Sequence, residues 1–208
     1  MRFLAFVVLL AALAPLDAKP AQTASLDLLR RATNPNPTLQ SYTASAELSA
    51  TLHALVPVHR TFNGTVYYLK PRRKIEFQNV SGPLSRFKDL ASSTPSYEDL
   101  AGDYTVTPLG DTGTLSSYSL VPKKSGGRVE KLTVTIDDAT ALVRHAEWLY
   151  TNGGKLDLDQ RYAAVGTFQL PITADISARF PGYSVDGTLS FSGYKPNAAV
   201  SPAVFASP

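Results

Sequence analysis

The stretch Ser41–Leu52, SYTASAELSATL, decides how the chain is read, because it alternates small or apolar residues with polar ones without a break. Tyr42, Ala44, Ala46, Leu48, Ala50 and Leu52 fall on one side; Ser41, Thr43, Ser45, Glu47, Ser49 and Thr51 fall on the other. Side chains of a strand point to opposite faces with period two, so this is a strand with one dry face and one wet face. The dry face needs an apolar cover: another sheet, a helix or a greasy ligand.

The same rhythm continues outward. A second strand, Arg60–Lys70, places Phe62, Val66 and Tyr68 together, and Pro71–Arg73 turns it into a third, Lys74–Val80, in which Ile75 and Phe77 face together. Strands at Tyr104–Leu109 and Leu115–Pro122 flank a turn of Gly110, Asp111, Thr112 and Gly113. Leu132, Val134 and Ile136 alternate with Lys131, Thr133 and Thr135; the Asp137-Asp138 turn then leads to a strand ending in Trp148 and Tyr150. Asn152-Gly153-Gly154 accepts positive φ at little cost and predicts a hairpin turn, beyond which Leu156, Leu158 and Tyr162 continue. Strands near Ile172–Phe180 and Tyr183–Tyr194 are joined by Pro181-Gly182, and the Ala-, Ser- and Pro-rich tail from Ala198 to Pro208 reads as disordered.

Two segments break the strand pattern. Ser25 can cap a short helix running to Ala32, with Leu26, Leu28 and Leu29 as its apolar stripe and Arg30 and Arg31 near its end; Asn34-Pro35-Asn36-Pro37 forbids continuation. Between Gly82 and Gly102, Leu84, Phe87 and Leu90 show helix-like spacing, and the segment is the best candidate for a lid. About ten antiparallel strands with two short helical pieces suggest either one highly curved sheet, an incomplete barrel plugged by helices, or a closed two-sheet sandwich. Periodicity alone does not separate these.

At the N-terminus, Arg2 precedes an apolar run, Phe3–Ala14, that is too short to span a bilayer and has the build of a secretory signal, with cleavage expected after Ala18. The remaining residues 19–197 suit one domain with a large core. Export without a single cysteine means that no disulfide supports the fold. The net charge is +3, from 20 Lys and Arg against 17 Asp and Glu, and it is spread along the chain, which argues against nucleic acid as a partner.

Catalysis finds little support. His53, His59 and His145 have no ligand spacing suited to zinc, Asp157 and Asp159 share the polar face of their strand, and there is no Gly-x-Ser-x-Gly elbow or glycine-rich phosphate loop. The expectation is a protein that is not an enzyme and needs no metal or cofactor.

The run Phe62, Gly64, Val66, Tyr68, then Lys70-Pro71-Arg72-Arg73-Lys74, then Ile75 and Phe77, resembles the pattern of the bacterial outer-membrane lipoprotein carrier, or LolA-like lipoprotein-sorting, family. Leu132–Ile136, Trp148, Tyr150, Gly153, Gly154, Tyr162, Phe168–Pro171 and Tyr194, Lys195 and Asn197 echo its later strands. The chain departs from the family between Ser81 and Leu100, where the usual hairpin is replaced. The resemblance implies a mainly β fold, an unclosed barrel of about eleven strands with lid helices and an apolar cavity. It also implies a monomeric periplasmic carrier that shields the acyl chains of a lipid or lipoprotein on the way to the outer membrane, served by membrane-bound donor and acceptor proteins. The alternative is a sensor or scaffold of the same fold that transports nothing.

On that reading, Tyr42, Ala44, Ala46, Leu48, Ala50, Phe62, Val66, Tyr68, Ile75 and Phe77 line the cavity on one side and Leu132, Val134, Ile136, Trp148 and Tyr150 on the other. Leu26, Leu28, Leu29, Leu84, Phe87 and Leu90 serve as the lid, and Lys70, Arg72, Arg73 and Lys74 meet head groups or a partner.

Overall fold

The computed structural model describes residues 25–53, 56–78, 89–93 (backbone) and 95–206. Helix α1 (Leu26–Ala32) is followed by strands β1 (Ser41–His53), β2 (Val58–Leu69), β3 (Arg72–Phe77) and β4 (Asp89–Ser93), and then by helix α2 (Tyr97–Asp103). Strands β5 (Tyr104–Thr112), β6 (Leu115–Pro122), β7 (Val129–Asp137), β8 (Val143–Tyr150), β9 (Lys155–Val165), β10 (Phe168–Phe180) and β11 (Tyr183–Pro196) complete it. All eleven strands form one antiparallel sheet in the order β4-β3-β2-β1-β11-β10-β9-β8-β7-β6-β5. This removes the sandwich alternative. The sheet is not closed: β4 and β5 are its two edges, although only α2 separates them along the chain.

Register carries the alternation of β1 across nearly the whole sheet. Ala44 stands opposite Val66, and Val66 opposite Ile75. In the other direction Leu48 pairs with Leu189, Leu189 with Ala174, and Ile176 with Leu158. Leu158 then faces Ala146, Ala146 faces Val134, Val134 faces Tyr118, and Leu120 faces Val106. One face is therefore apolar from β3 to β5. The other carries Ser, Thr and ion pairs, among them Arg161–Asp175 at 2.8 Å and Arg179–Asp186 at 2.7 Å. Bulges between β1 and β11, β9 and β10, and β5 and β6 add local bend and twist.

Both helices lie on the apolar side. Ser25 caps α1, its Oγ accepting from the Asp27 amide at 3.2 Å, and the Tyr118 hydroxyl donates to the Ser25 carbonyl at 2.6 Å. Leu28 and Leu29 are buried against Tyr118, Leu120, Val134, Ile136 and Ala146, whereas Leu26 is exposed and stands outside the buried stripe. At about 100° per residue, Leu26 and Leu28 stand roughly 160° apart around the helix axis, so the three leucines do not share one buried face. A capping box of Ser96 and Asp99 starts α2, whose Tyr97 and Leu100 pack on the same cluster. The Arg30 guanidinium lies 4.5 Å from the Tyr97 ring centroid, so the helices touch.

Several expectations change. Leu90 lies in edge strand β4, opposite Ile75, instead of in a helix, because pairing satisfies the free backbone edge of β3. Leu84 and Phe87, like the signal at residues 1–18, lie outside the described residues. The tail expected to be disordered carries a 3-10 turn, Pro202–Phe205, seated on the polar side of β3. Lys74 Nζ donates to the Val204 carbonyl at 3.0 Å and pairs with Glu76 at 2.7 Å, while the Arg72 guanidinium lies 4.8 Å over the Phe205 ring. A buried ammonium requires such partners, which makes the end of the chain part of the fold.

Gly64 has a steric role. A Cβ there would stand 2.5 Å from the Glu76 carbonyl oxygen and 2.9 Å from the Phe77 ring, so its absence lets β3 lie close across β2. Gly64→Ala is expected to lower unfolding free energy by about 1–3 kcal/mol. Gly102→Ala, where a Cβ meets nothing within 4 Å in α2, is expected to be neutral or stabilising. Urea denaturation of the two variants measures the contrast.

Candidate functional site: a partly covered apolar face

The apolar face is not filled evenly. Its buried residues form two clusters: one built on β1, β2, β3, β10 and β11 around Val66, Phe77 and Phe191, the other on β6, β7 and β8 beneath α1. Leu158 is the residue packed against both. Burial also falls along each strand. Ala44 and Ala46 are buried but Leu48, Ala50 and Leu52 only half-buried; Val66 is buried but Phe62 half-buried; Val134 is buried but Leu132 half-buried. Trp148, Leu156 and Ile176 share this incomplete cover. These residues lie toward the end holding the β1–β2, β6–β7, β8–β9 and β10–β11 connections, here called the mouth, and the opposite end is closed.

The closed end is stoppered by aromatic and polar groups. Tyr42 stacks on Tyr68 at 4.9 Å and meets the edge of Tyr194 at 5.3 Å. The Tyr194 hydroxyl donates to the Pro171 carbonyl, and that of Tyr162 donates to the Val143 carbonyl at 3.0 Å and pairs with Gln160 at 2.6 Å. Burial pushes the Tyr42, Tyr162 and Tyr194 hydroxyls above the ordinary phenol range, Tyr162 to about 12, and the nearby Arg73 guanidinium opposes the rise at each. Arg73 thus turns to the apolar face, opposite Tyr68.

That placement corrects the expected basic patch. The four cations do not form one solvated turn: Lys70 Nζ is held by Asn34 Oδ1 at 3.1 Å and the Pro37 carbonyl at 3.3 Å, Arg72 and Lys74 bind the tail, and Arg73 joins the tyrosines. Period-two alternation splits neighbouring residues of a strand between two faces, and Arg72 already belongs to β3.

The fifteen residues expected to line the hollow do share the apolar face. Val134 and Ile136 lie under α1, whereas Leu132, Trp148 and Tyr150 lie toward the mouth. Beyond those fifteen, the face has a contribution from β9 to β11: Leu156, Leu158, Ile176, Leu189 and Phe191, with Phe180 and Tyr183 at the mouth, where Phe180 meets the rings of both Tyr150 and Tyr183. The alternation of Leu156 and Leu158 with Asp157 and Asp159 carries the same signal as β1. On the polar face, His145, Glu147 and Asp157 are close enough for a metal ion, but Lys155 Nζ sits between the two carboxylates at 2.8 and 3.1 Å. Glu147 and then Asp157 hold the Lys155 ammonium above its usual range.

Stability should respond to alkali through the closed-end tyrosines. Their phenols ionise near 10 when unfolded and higher when folded, so the native state holds more protons above pH 10. Their contribution is complete below pH 10 and is lost as pH rises through the folded values. Ultraviolet phenolate absorbance is expected to appear in two stages, exposed tyrosines first and the buried group together with unfolding; a single stage near 10 contradicts the stopper.

No protein-family model matches the chain, and no curated protein matches it. Solved structures do. An outer membrane lipoprotein-sorting protein domain from Vibrio parahaemolyticus superposes with a TM-score of 0.61 at 13% identity, covering 86% of this chain and 95% of the other. A DUF1329 family protein from Desulfovibrio piger gives 0.54 at 14% identity, covering 86% and 95%, and a LolA superfamily protein from Nitrosomonas europaea gives 0.51 at 11%, covering 89% and 98%. These identities speak to architecture alone. Together with the open eleven-stranded order, they establish that the chain has the LolA-like fold.

Proposed function

We infer that the protein is a periplasmic carrier that shelters the acyl chains of a lipid or lipoprotein against the mouth half of its apolar face. The observation that supports this reading is the strip of Leu48, Phe62, Leu132, Trp148, Leu156 and Ile176, which share the apolar face yet remain only half-buried. Each methylene kept from water is worth roughly 0.8 kcal/mol, so a sixteen-carbon chain represents on the order of 10 kcal/mol of contact with such a strip. Aliphatic and aromatic walls supply this without directional bonds and without chemistry on the cargo.

In this mechanism the closed end limits how far a chain penetrates, because Tyr42, Tyr68 and Tyr194 already fill it. Helix α1 covers the β6–β8 half through Leu28 and Leu29, and its displacement would add the surface of Tyr118, Leu120 and Val134 to the strip. Release follows when the helix and the hollow walls close on each other again. The expected signal at residues 1–18 delivers the chain to the compartment in which such cargo moves. The expected donor and acceptor proteins fit the same cycle.

Trp148 is the sole tryptophan and lies on this strip, so it reports contact directly. Brominated fatty acid is expected to quench its fluorescence saturably, and native mass spectrometry of protein from a membrane-containing host is expected to show a co-purifying lipid. Ile176→Asp is expected to weaken quenching at least tenfold while circular dichroism stays unchanged. Absence of both quenching and lipid overturns the reading.

A further inference from the structure

Cations with free charge are found at the mouth. Arg60 is exposed on the apolar side of β2, opposite Ala50 and two residues from Phe62, and among the described residues its guanidinium is bonded only to the adjacent His59 carbonyl at 2.9 Å. Lys124 and Arg128 are exposed in the β6–β7 connection. Among the described residues, no carboxylate pairs with any of the three. The neighbouring acids differ: Asp186 is taken by Arg179 at 2.7 Å and His53 at 3.2 Å, and Asp103 and Glu130 are exposed.

The same rim presents apolar tips. Val56, in the β1–β2 connection, is 71% exposed, and Tyr183, beside the β10–β11 turn, is 36% exposed and stacked on Phe180. Tyrosine with an apolar body and polar tip, an aliphatic tip and unpaired cations around an apolar opening are what a water–lipid boundary accommodates: phosphates outside, hydrocarbon beneath. A protein partner with a fixed complementary surface would leave these separated cations to find individual carboxylates, whereas a leaflet presents phosphates at every lateral position.

We propose that the rim carrying Val56, Arg60, Lys124, Arg128 and Tyr183 is the surface on which the protein docks, mouth first, against an anionic bilayer leaflet. The orientation rests on the carrier reading above, since it sets the acyl-receiving strip over the membrane; the docking itself does not. Docking by this rim also replaces the contact expected of Lys70, Arg72, Arg73 and Lys74, which lie at the closed end and are engaged in the fold.

The test is co-sedimentation of the full mature chain with vesicles of phosphatidylglycerol and phosphatidylethanolamine, against vesicles of phosphatidylcholine alone. Binding is expected for the anionic vesicles and to fall with added salt. Lys124→Ser with Arg128→Ser should weaken it about fivefold for each cation removed, whereas Lys70→Ser with Lys195→Ser, an equal change of net charge at the other end, should change it less than about twofold. Val56→Ser with Tyr183→Ser should weaken it further at high salt. Equal losses in the two charge pairs, unchanged binding of the rim pair, or equal binding to both vesicle types would overturn the proposal. Quenching of Trp148 by free brominated fatty acid, measured without vesicles, should be unchanged in the Lys124/Arg128 pair. Its loss in the unaltered protein would defeat the carrier reading while leaving the sedimentation result to stand by itself.

Discussion

The structure depends on one constraint, the unbroken apolar register that runs from Ile75 on β3 to Val106 on β5. An antiparallel sheet of this width exposes a large dry surface on one side, and among the described residues two seven-residue helices lie over it. Such helices are short for the task, and both sit over the same half. Among the described residues, neither helix reaches the mouth end of the strands, where Leu48, Leu132 and Trp148 stay half-buried. A register error of one residue would turn every apolar side chain of that strand to the wet face, so the alternation that makes one face dry also protects the pairing.

The two ends of the apolar face differ in what stabilises them. The closed end uses aromatic stacking, buried hydroxyls bonded to carbonyls, and one guanidinium among phenols, a set in which nearly every polar atom has a partner. The mouth uses ordinary apolar contact and leaves much of it unmade. Stability is therefore concentrated away from the opening, so that the walls near it can change their neighbours without loosening the closed end.

Much of this was legible in the residues. The Ser41–Leu52 alternation, the Asn152-Gly153-Gly154 turn and the Ser25 cap lead to β1, the β8–β9 hairpin and α1 within a residue or two. Leu90 was misread because leucine spacing over a few residues fits helix or strand alike, and only the unpaired edge of β3 decides. The basic run was misread for a related reason: a turn shortened to Lys70-Pro71 places Arg72 and Arg73 on strand faces, where each finds a different neighbour. Ser201-Pro202 is a local start signal for the turn in the tail, but nothing local tells that the turn seats on β3. That seating follows from a buried lysine 130 residues earlier that needs a carbonyl. Likewise, periodicity could list the apolar residues of β9 to β11 but could not say that they complete one face, because that requires the strand order.

The two edges of the sheet, β4 and β5, are neighbours in sequence, tied by a single short helix. A cylinder sealed by hydrogen bonds has a set girth, and enlarging it means tearing a whole ladder. Here the seam is a tether instead of a ladder, so the circumference can grow by swinging Tyr97–Asp103 while all ten inter-strand pairings stay intact. On the carrier reading, the gap is an expansion joint that would let one scaffold hold loads of different bulk at little conformational expense.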